Sequence, residues 1–323
     1  MDRSDGIKIF TEFVYPGEQK IVEVTVAQLH TMTPLKIPIF VNRSTTPGPV
    51  VMFSAGMHGD EINGIDIVRE LIAQNINIPK IGTIICVPLI NILSFINKSR
   101  VFPDGRDLNR LFPGSADGSL ASRFAYFITK EIVPIVDYVV DFHTGGGKRF
   151  NVAQIRVAPD QLELMDLAAE FNAPFTVMTQ NIEGSFRSIC KENGVKMLLF
   201  EGGMSLNLNQ EITTIGVEGS KRLLQHLGMA SDHVIPSAPT YTNKIIHKTT
   251  WLRTNHSGLF KTFVEVGEYI SIGQKIATVY DPFGQYEYDE IAKKEGYLIN
   301  VNHTSLVYQG DAIFNISKEH KHE

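Results

Sequence analysis

Apolar and polar positions change their period several times along the chain, and the changes divide it into elements. The β-branched runs "IVEVTVAQL" (21–29) and "IPIFVN" (37–42) predict paired N-terminal strands. "PVVMFSAG" (49–56) is apolar without alternation, the pattern of a strand covered on both faces. Ile62, Ile65, Val68 and Leu71 then recur at helical spacing and predict a helix over 60–75. "GTIICVPL" (82–89) repeats the buried-strand pattern, and an irregular segment follows over 90–117. A helix over 118–133 and a strand "VDYVVDFHT" (136–144) come next. Strand, helix and strand recur through "KMLLFEGG" (196–203) to a helix over 210–227. Such alternation predicts an α/β fold: a mixed, largely parallel sheet with helices on both faces. In such sheets ligands gather beyond the carboxyl ends of the strands.

The pattern changes at "DHVIPSAPTYTN" (232–243), which lacks helical periodicity and reads as a linker. Beyond it, Gly258, Gly267, Gly273, Gly284, Gly296 and Gly310 punctuate short β-branched and aromatic runs. The expected organisation is an α/β unit over 1–235, a linker over 236–244, and a small all-β domain over 245–323 with barrel or sandwich character. The polar tail "KEHKHE" is expected to fray.

Composition narrows the class. Hydrophobic residues make up 43% of 323 and charged residues 20%, a globular balance. The net charge of -5 argues against a nucleic-acid or anionic-membrane binder. The charged start "MDRSDGIKIF" has no apolar core behind it, so no signal peptide is expected. Two cysteines, Cys86 in an apolar strand and Cys190 in a predicted helix, cannot organise a disulfide framework, and a cytoplasmic location fits.

The chemistry centres on His58-Gly-Asp-Glu61, where a buried strand turns into a helix. A side chain at the strand end and one in the first helical turn can converge on one point. Alone, H-x-x-E is equally compatible with an exposed His and a helix-starting Glu. His143 ends the strand "VVDFHT" at the same sheet edge, with Asp141 on its own face. His58, Glu61 and His143 complete a His2Glu set that holds catalytic zinc with a position left for water. Water attack needs a base that is not a ligand, and Glu201 in "LLFEGG" ends the last buried strand beside two glycines. A solvated strand-end acid would have the same pattern. The loop "KSRVFPDGRDLNRLFPG" (98–114) carries Arg100, Arg106, Asn109 and Arg110, groups that bind a carboxylate or stabilise an oxyanion when they are not simply solvated. Arg187, just ahead of the Glu201 strand, can add to such a pocket.

Taken in order, "GMHGDEINGI", "PDGRDLNRLFPG", "DFHTGG" and "FEGG" resemble the succinylglutamate desuccinylase/aspartoacylase family of the zinc carboxypeptidase superfamily, over most of residues 45–225. The resemblance implies a zinc carboxypeptidase-like fold with one Zn2+ per chain on His58, Glu61 and His143, and Glu201 as general base. It implies that Asn109 and Arg110 grip the substrate carboxylate and that Asp107 orients a zinc-bound His. Arg100 and Arg106 both precede the Asn-Arg pair, and Arg106 is preferred for the oxyanion. The C-terminal region resembles the family's β-domain, itself similar to a biotinyl/lipoyl carrier barrel. Lys293 and Lys294 do not sit in a recognisable carrier motif, so the domain reads as structural. In the family a C-domain Tyr reaches the pocket; Tyr280, Tyr286 and Tyr288 are the candidates here.

The implied activity is zinc-dependent hydrolysis of the amide of a small N-acylated amino acid, a deacylase of amino-acid metabolism. N-acetylated diamino acids suit the "PDGRDLNR" pattern, and the basic loop would also tolerate an acidic side chain. The alternatives are a zinc carboxypeptidase acting on short peptides, which a β-domain over the sheet edge disfavours, and a non-catalytic metal-binding relative. The expected partner is the small substrate alone, without nucleic acid or membrane. Assembly of identical chains is left open.

Overall fold

The computed structural model describes residues 6–318. The "MDRSD" part of the charged start and the last five residues of the polar tail lie outside them. Among the described residues a mixed sheet of 13 strands spans the molecule. Its centre is four parallel strands in the order Lys196–Met204, Tyr138–Gly145, Val50–Ala55, Thr83–Val87. Antiparallel strands extend it on both sides. Pro34–Arg43 and then Gln19–Gln28 add beyond Thr83–Val87. Arg149–Val157, Gly296–Asn302, Ala312–Ser317 and Thr249–Arg253 add beyond Lys196–Met204. The fold class is therefore the mixed α/β sheet that the pattern predicts, with parallel pairing concentrated at its centre.

Two-sided burial explains the continuous apolar strands. All six residues of Val50–Ala55 are buried. Val50 and Met52 face one core with the Leu120–Glu131 helix, while Val51, Phe53 and Ala55 face a second core with the Ile62–Ala73 and Gln210–His226 helices. Alternate side chains point to opposite faces, so both sets must be apolar. The predicted helices end close to these bounds, where local caps hold them. Ser119 Oγ accepts from Ser122 N, and Asn209 Oδ1 accepts from Ile212 N, each satisfying an otherwise unpaired helical N–H. The irregular 90–117 segment contains one short helix, Ile92–Ile96, and a 3-10 turn at Leu108–Arg110.

The C-terminal strands do not stand apart from this sheet. Asn300, Val301 and Asn302 pair with Asn151, Phe150 and Arg149. Lys244–Ile246 pairs in parallel with Phe175–Met178, which itself pairs with Arg149–Val157. A separate four-stranded sheet (Gly258–Thr262, Leu306–Val307, Lys275–Tyr280 and Glu287–Ile291) stacks on the C-terminal end of the large one. Phe260, Ile276 and Val279 meet Leu298, Val301 and Phe314 in a shared sandwich core. The stretch 232–243 has almost no regular structure, and Tyr241 Oη ties it to Asn172 O at 3.1 Å. No helix among the described residues is long and apolar enough to cross a membrane.

Candidate metal centre and active site

His58 and Glu61 are separated by a sharp passage whose shape depends on Gly59. A Cβ at Gly59 would lie 2.0 Å from the backbone of Ser94 and Phe95, so only glycine lets the two segments pass. Glu61 stands at the N-cap position of the Ile62–Ala73 helix, yet its side chain caps nothing. Instead Glu61 Oε1 lies 2.8 Å from His58 Nδ1, and Oε2 lies 2.8 Å from His143 Nδ1. Thr144 N donates to Oε2 at 3.2 Å, and Arg100 Nη1 donates to Oε1 at 3.1 Å. The sequence pattern is shared with a helix-starting glutamate, but the geometry is not.

The outer nitrogen of each imidazole meets its own carboxylate. His58 Nε2 lies 3.1 Å from Asp107 Oδ1, and His143 Nε2 lies 2.8 Å from Asp141 Oδ2. Asp141 is fully buried and is itself held by Ser54 Oγ at 2.7 Å. Asp107 Oδ2 accepts from Arg100 Nε and Nη2 at 3.2 and 3.0 Å. A neutral ring that gives Nε2–H to its carboxylate presents the Nδ1 lone pair inward, the arrangement usual for metal-ligating histidines.

One ligand atom from each of His58, Glu61 and His143 lies within 4.8 Å of the others, and all three residues are buried. Burial pulls the His58 and His143 pKa down, but the surrounding carboxylates outweigh it and hold both above the ordinary histidine value. Burial likewise pushes Glu61 up, and the two histidines pull it well below the usual carboxylate range. Asp107 is also held low: burial opposes this, but His58 and Arg100 prevail. The cluster is thus built to surround positive charge, and its two-nitrogen, one-carboxylate donor set fits a divalent zinc-like ion.

His58, Glu61 and His143 line one cavity of about 330 Å³, the size of a small-molecule site. Glu201 also lines it, in direct register with His143 on the neighbouring parallel strand. Gly203, at φ +80°, lies within the register shift near the end of this strand. Glu201 Oε2 accepts from Asn151 Nδ2 at 2.8 Å, and Oε1 lies 3.4 Å from Arg156 Nη1. Arg100, Asn109, Arg110 and Arg187 reach the cavity too. Asn109 Oδ1 accepts from Phe186 N at 2.8 Å, tying the loop to the Phe186–Glu192 helix. Arg187 is buried and donates to the carbonyl oxygens of Thr179 and Gln180 at 3.1 and 2.7 Å. Burial and the neighbouring Arg156 lower its pKa to about 10, so it stays cationic at neutral pH.

Arg106 is not brought to this cavity. Its side chain is 52% exposed and pairs with Asp104 at 2.6 Å. The loop turns so that Asp107 engages both His58 and Arg100, which points the other arginine to solvent. Tyr280 and Tyr288 on the four-stranded sheet, and Tyr286 in the turn between their strands, are exposed and do not line the cavity either. Lys293 and Lys294 form an exposed bend. The C-terminal region supplies Trp251 and Asn300 to the cavity instead. Together with Arg149, Asn151 and Arg156, these were not singled out from the sequence. Arg149 lies over the Trp251 ring at 5.3 Å. The available signal was the polar set Asn151, Gln154 and Arg156 inside an otherwise apolar strand.

A family model for the succinylglutamate desuccinylase/aspartoacylase catalytic domain matches residues 47–227. The chain is 28% identical to the N-alpha-acetyl-L-2,4-diaminobutyric acid deacetylase of Halomonas elongata, over 84% of this chain and 82% of that protein. Among solved structures it is similar to the product-bound ectoine utilization protein EutE (DoeB) of Ruegeria pomeroyi, with a TM-score of 0.82 at 22% identity over 98% of this chain and 99% of that one. A succinylglutamate desuccinylase from Silicibacter sp. TM1040 gives a TM-score of 0.82 at 24% identity, covering 97% and 99%. The structural likenesses extend through both the central sheet and the C-terminal strands.

Proposed function

The chain belongs to the succinylglutamate desuccinylase/aspartoacylase family, and from that premise we propose that it hydrolyses the amide bond of a small N-acyl amino acid with one Zn2+ per chain. The observation that carries this reading is the convergence of His58, Glu61 and His143 with Glu201 in register beside them. His58 Nδ1, a Glu61 oxygen and His143 Nδ1 would hold the ion. When bound, it supplies Lewis-acid chemistry, acidifying a water and polarising the scissile carbonyl.

The remaining work falls to side chains. Glu201 takes the proton of the attacking water as the new C–O bond forms, and returns a proton to the nitrogen as the C–N bond breaks. Arg100, held by Asp107 and Glu61, lies at the cavity wall where a developing oxyanion needs a fixed donor. It is a better candidate for that role than Arg106, which faces solvent. Asn109 and Arg110 bind the substrate carboxylate. Asp107 and Asp141 orient the two imidazoles.

The similarity to the Halomonas elongata enzyme makes Nα-acetyl-L-2,4-diaminobutyrate the first substrate to assay. A second substrate reading is favoured by Arg156 and Arg187 inside the cavity: an acidic side chain would pair with them, whereas the side-chain ammonium of a diamino substrate would be repelled. The test is a panel of N-acetyl and N-succinyl derivatives of diamino, neutral and acidic amino acids, run on protein of measured zinc content. Turnover of at least one class at one zinc per chain is expected. Metal-replete, folded protein inactive on the whole panel would overturn the reading.

A further inference from the structure

Asn300 is separated by 99 positions from Glu201 in the chain, yet both line one cavity. Its strand pairs with Arg149–Val157, and its direct cross-strand partner is Asn151. Asn300 Nδ2 donates to Asn151 Oδ1 at 2.6 Å. Asn151 Nδ2 donates in turn to Glu201 Oε2 at 2.8 Å. Both asparagines are buried, at 5% exposure each.

The direction of this relay is dictated by chemistry. An ionised carboxylate only accepts hydrogen bonds, so Asn151 must turn its NH2 toward Glu201. Its carbonyl oxygen then faces Asn300, which must answer with its own NH2. Asn300 Oδ1 is buried and has no partner among the described residues. No other protein group there competes with Asn151 for the orientation of that amide. Glu201's remaining contact, Arg156 at 3.4 Å, is longer and supplies charge more than direction.

We propose that Asn300 is a positioning residue for Glu201, acting through Asn151 to hold one carboxylate oxygen fixed in orientation. The proposal rests on the reading of Glu201 as the proton-transfer group. It gives the C-terminal strands a part in catalysis that their sequence does not announce. A strand hydrogen-bonded into the catalytic sheet sets the last amide of a relay that ends on the base.

The test uses the full-length, zinc-loaded enzyme and two variants of nearly unchanged size. Asn300→Asp presents only acceptors to Asn151. Either Asn151 rotates and turns its oxygen on Glu201, or an oxygen faces an oxygen at position 300. Both outcomes take the fixed donor away from Glu201 Oε2. kcat should fall about tenfold, the scale of one lost charge-assisted hydrogen bond, with KM changed less than about twofold. Asn300→Leu removes the NH2 without adding charge and should lower kcat about threefold to tenfold. Because the effect runs through Asn151, Asn300→Leu should cost almost nothing further in an Asn151→Ala background. A purely structural role would lower the melting temperature and cost the same with and without Asn151.

The proposal fails if the folded, metal-replete variants keep the wild-type kcat. It fails equally if Asn300→Leu costs the same with and without Asn151. Should the aspartate variant not fold, the Asn300→Leu cycle decides alone. Glu201→Gln separates this from the underlying reading: if it retains full turnover, the assignment of Glu201 is wrong whatever position 300 shows.

Discussion

Glu201 and His143 are direct neighbours across a parallel strand pair, so backbone register alone sets a carboxylate beside a metal-competent imidazole. Adjacent strands lie about 4.8 Å apart, and paired residues in a parallel ladder point to the same face. Asp141, two residues before His143, shares that face and meets Ser54 from the next parallel strand. A one-residue slip would turn Glu201 away from the cavity. The buried apolar runs that forbid such slips therefore also maintain the site.

Replacing Glu201 by Gln should separate metal binding from turnover. The variant keeps its size and can still accept from Asn151, but it cannot take a proton. Zinc content is expected to stay at one per chain, while kcat falls about 10²- to 10⁴-fold. Metal analysis beside steady-state rates checks both, and a loss of less than tenfold would remove Glu201 from the role.

Asp141→Asn should weaken the metal without unfolding the protein. His143 Nε2 loses its ionic partner, and the ring's hold on one tautomer relaxes. Zinc affinity is expected to fall about 10- to 100-fold, measured by competition with a chelator. Unchanged affinity would mean that the buried carboxylate serves only Ser54 and the sheet.

The two loop arginines should behave differently. Arg100→Gln is expected to reduce kcat about 10²-fold or more, because its guanidinium lies at the cavity with Asp107 and Glu61. Arg106→Gln removes an exposed pair with Asp104 and should stay within about twofold, as surface ion pairs contribute little. Equal losses in both variants would contradict this division.

Gly59→Ala tests the passage between His58 and Glu61. The new Cβ meets backbone atoms at 2.0 Å, which flexible side chains cannot relieve. Overpacking of this kind costs about 1–3 kcal/mol or more, so denaturation of the metal-free variant should show at least that loss. Zinc affinity should drop with it, since the two donors share the displaced segment. A variant with wild-type stability and affinity would show that the Ser94–Phe95 backbone can move aside.

What the sequence reveals depends on which way each face points. Val50–Ala55 and Thr83–Val87 were legible because both faces meet apolar cores. His58, Glu61 and His143 were legible as a group because each sits at a strand end or the first turn after one. Arg149–Val157 was not, because Asn151, Gln154 and Arg156 interrupt its apolar pattern to face a cavity rather than solvent. Nor does a loop sequence state its own direction. Arg100 and Arg106 look alike until Asp107 engages His58 and Arg100 together. Asn300 was the least visible, since its meaning lies in a pairing with residues 149 positions earlier.

Arg187 decides between the two substrate readings. It is a buried cation at the cavity wall, anchored on the Thr179 and Gln180 carbonyls and set near Arg156. If the natural substrate carries an acidic side chain, Arg187→Gln should raise its KM about tenfold or more and leave kcat nearly unchanged, the pattern of lost uniform binding. A diamino substrate should respond in the opposite sense, because removing a like charge lowers its electrostatic penalty. Steady-state constants for N-acetylaspartate and Nα-acetyl-2,4-diaminobutyrate, measured on wild type and variant with melting curves as a folding control, give both signs at once. A parallel loss on both substrates would assign Arg187 to holding the 179–180 turn, and the acidic-substrate reading would fall with it.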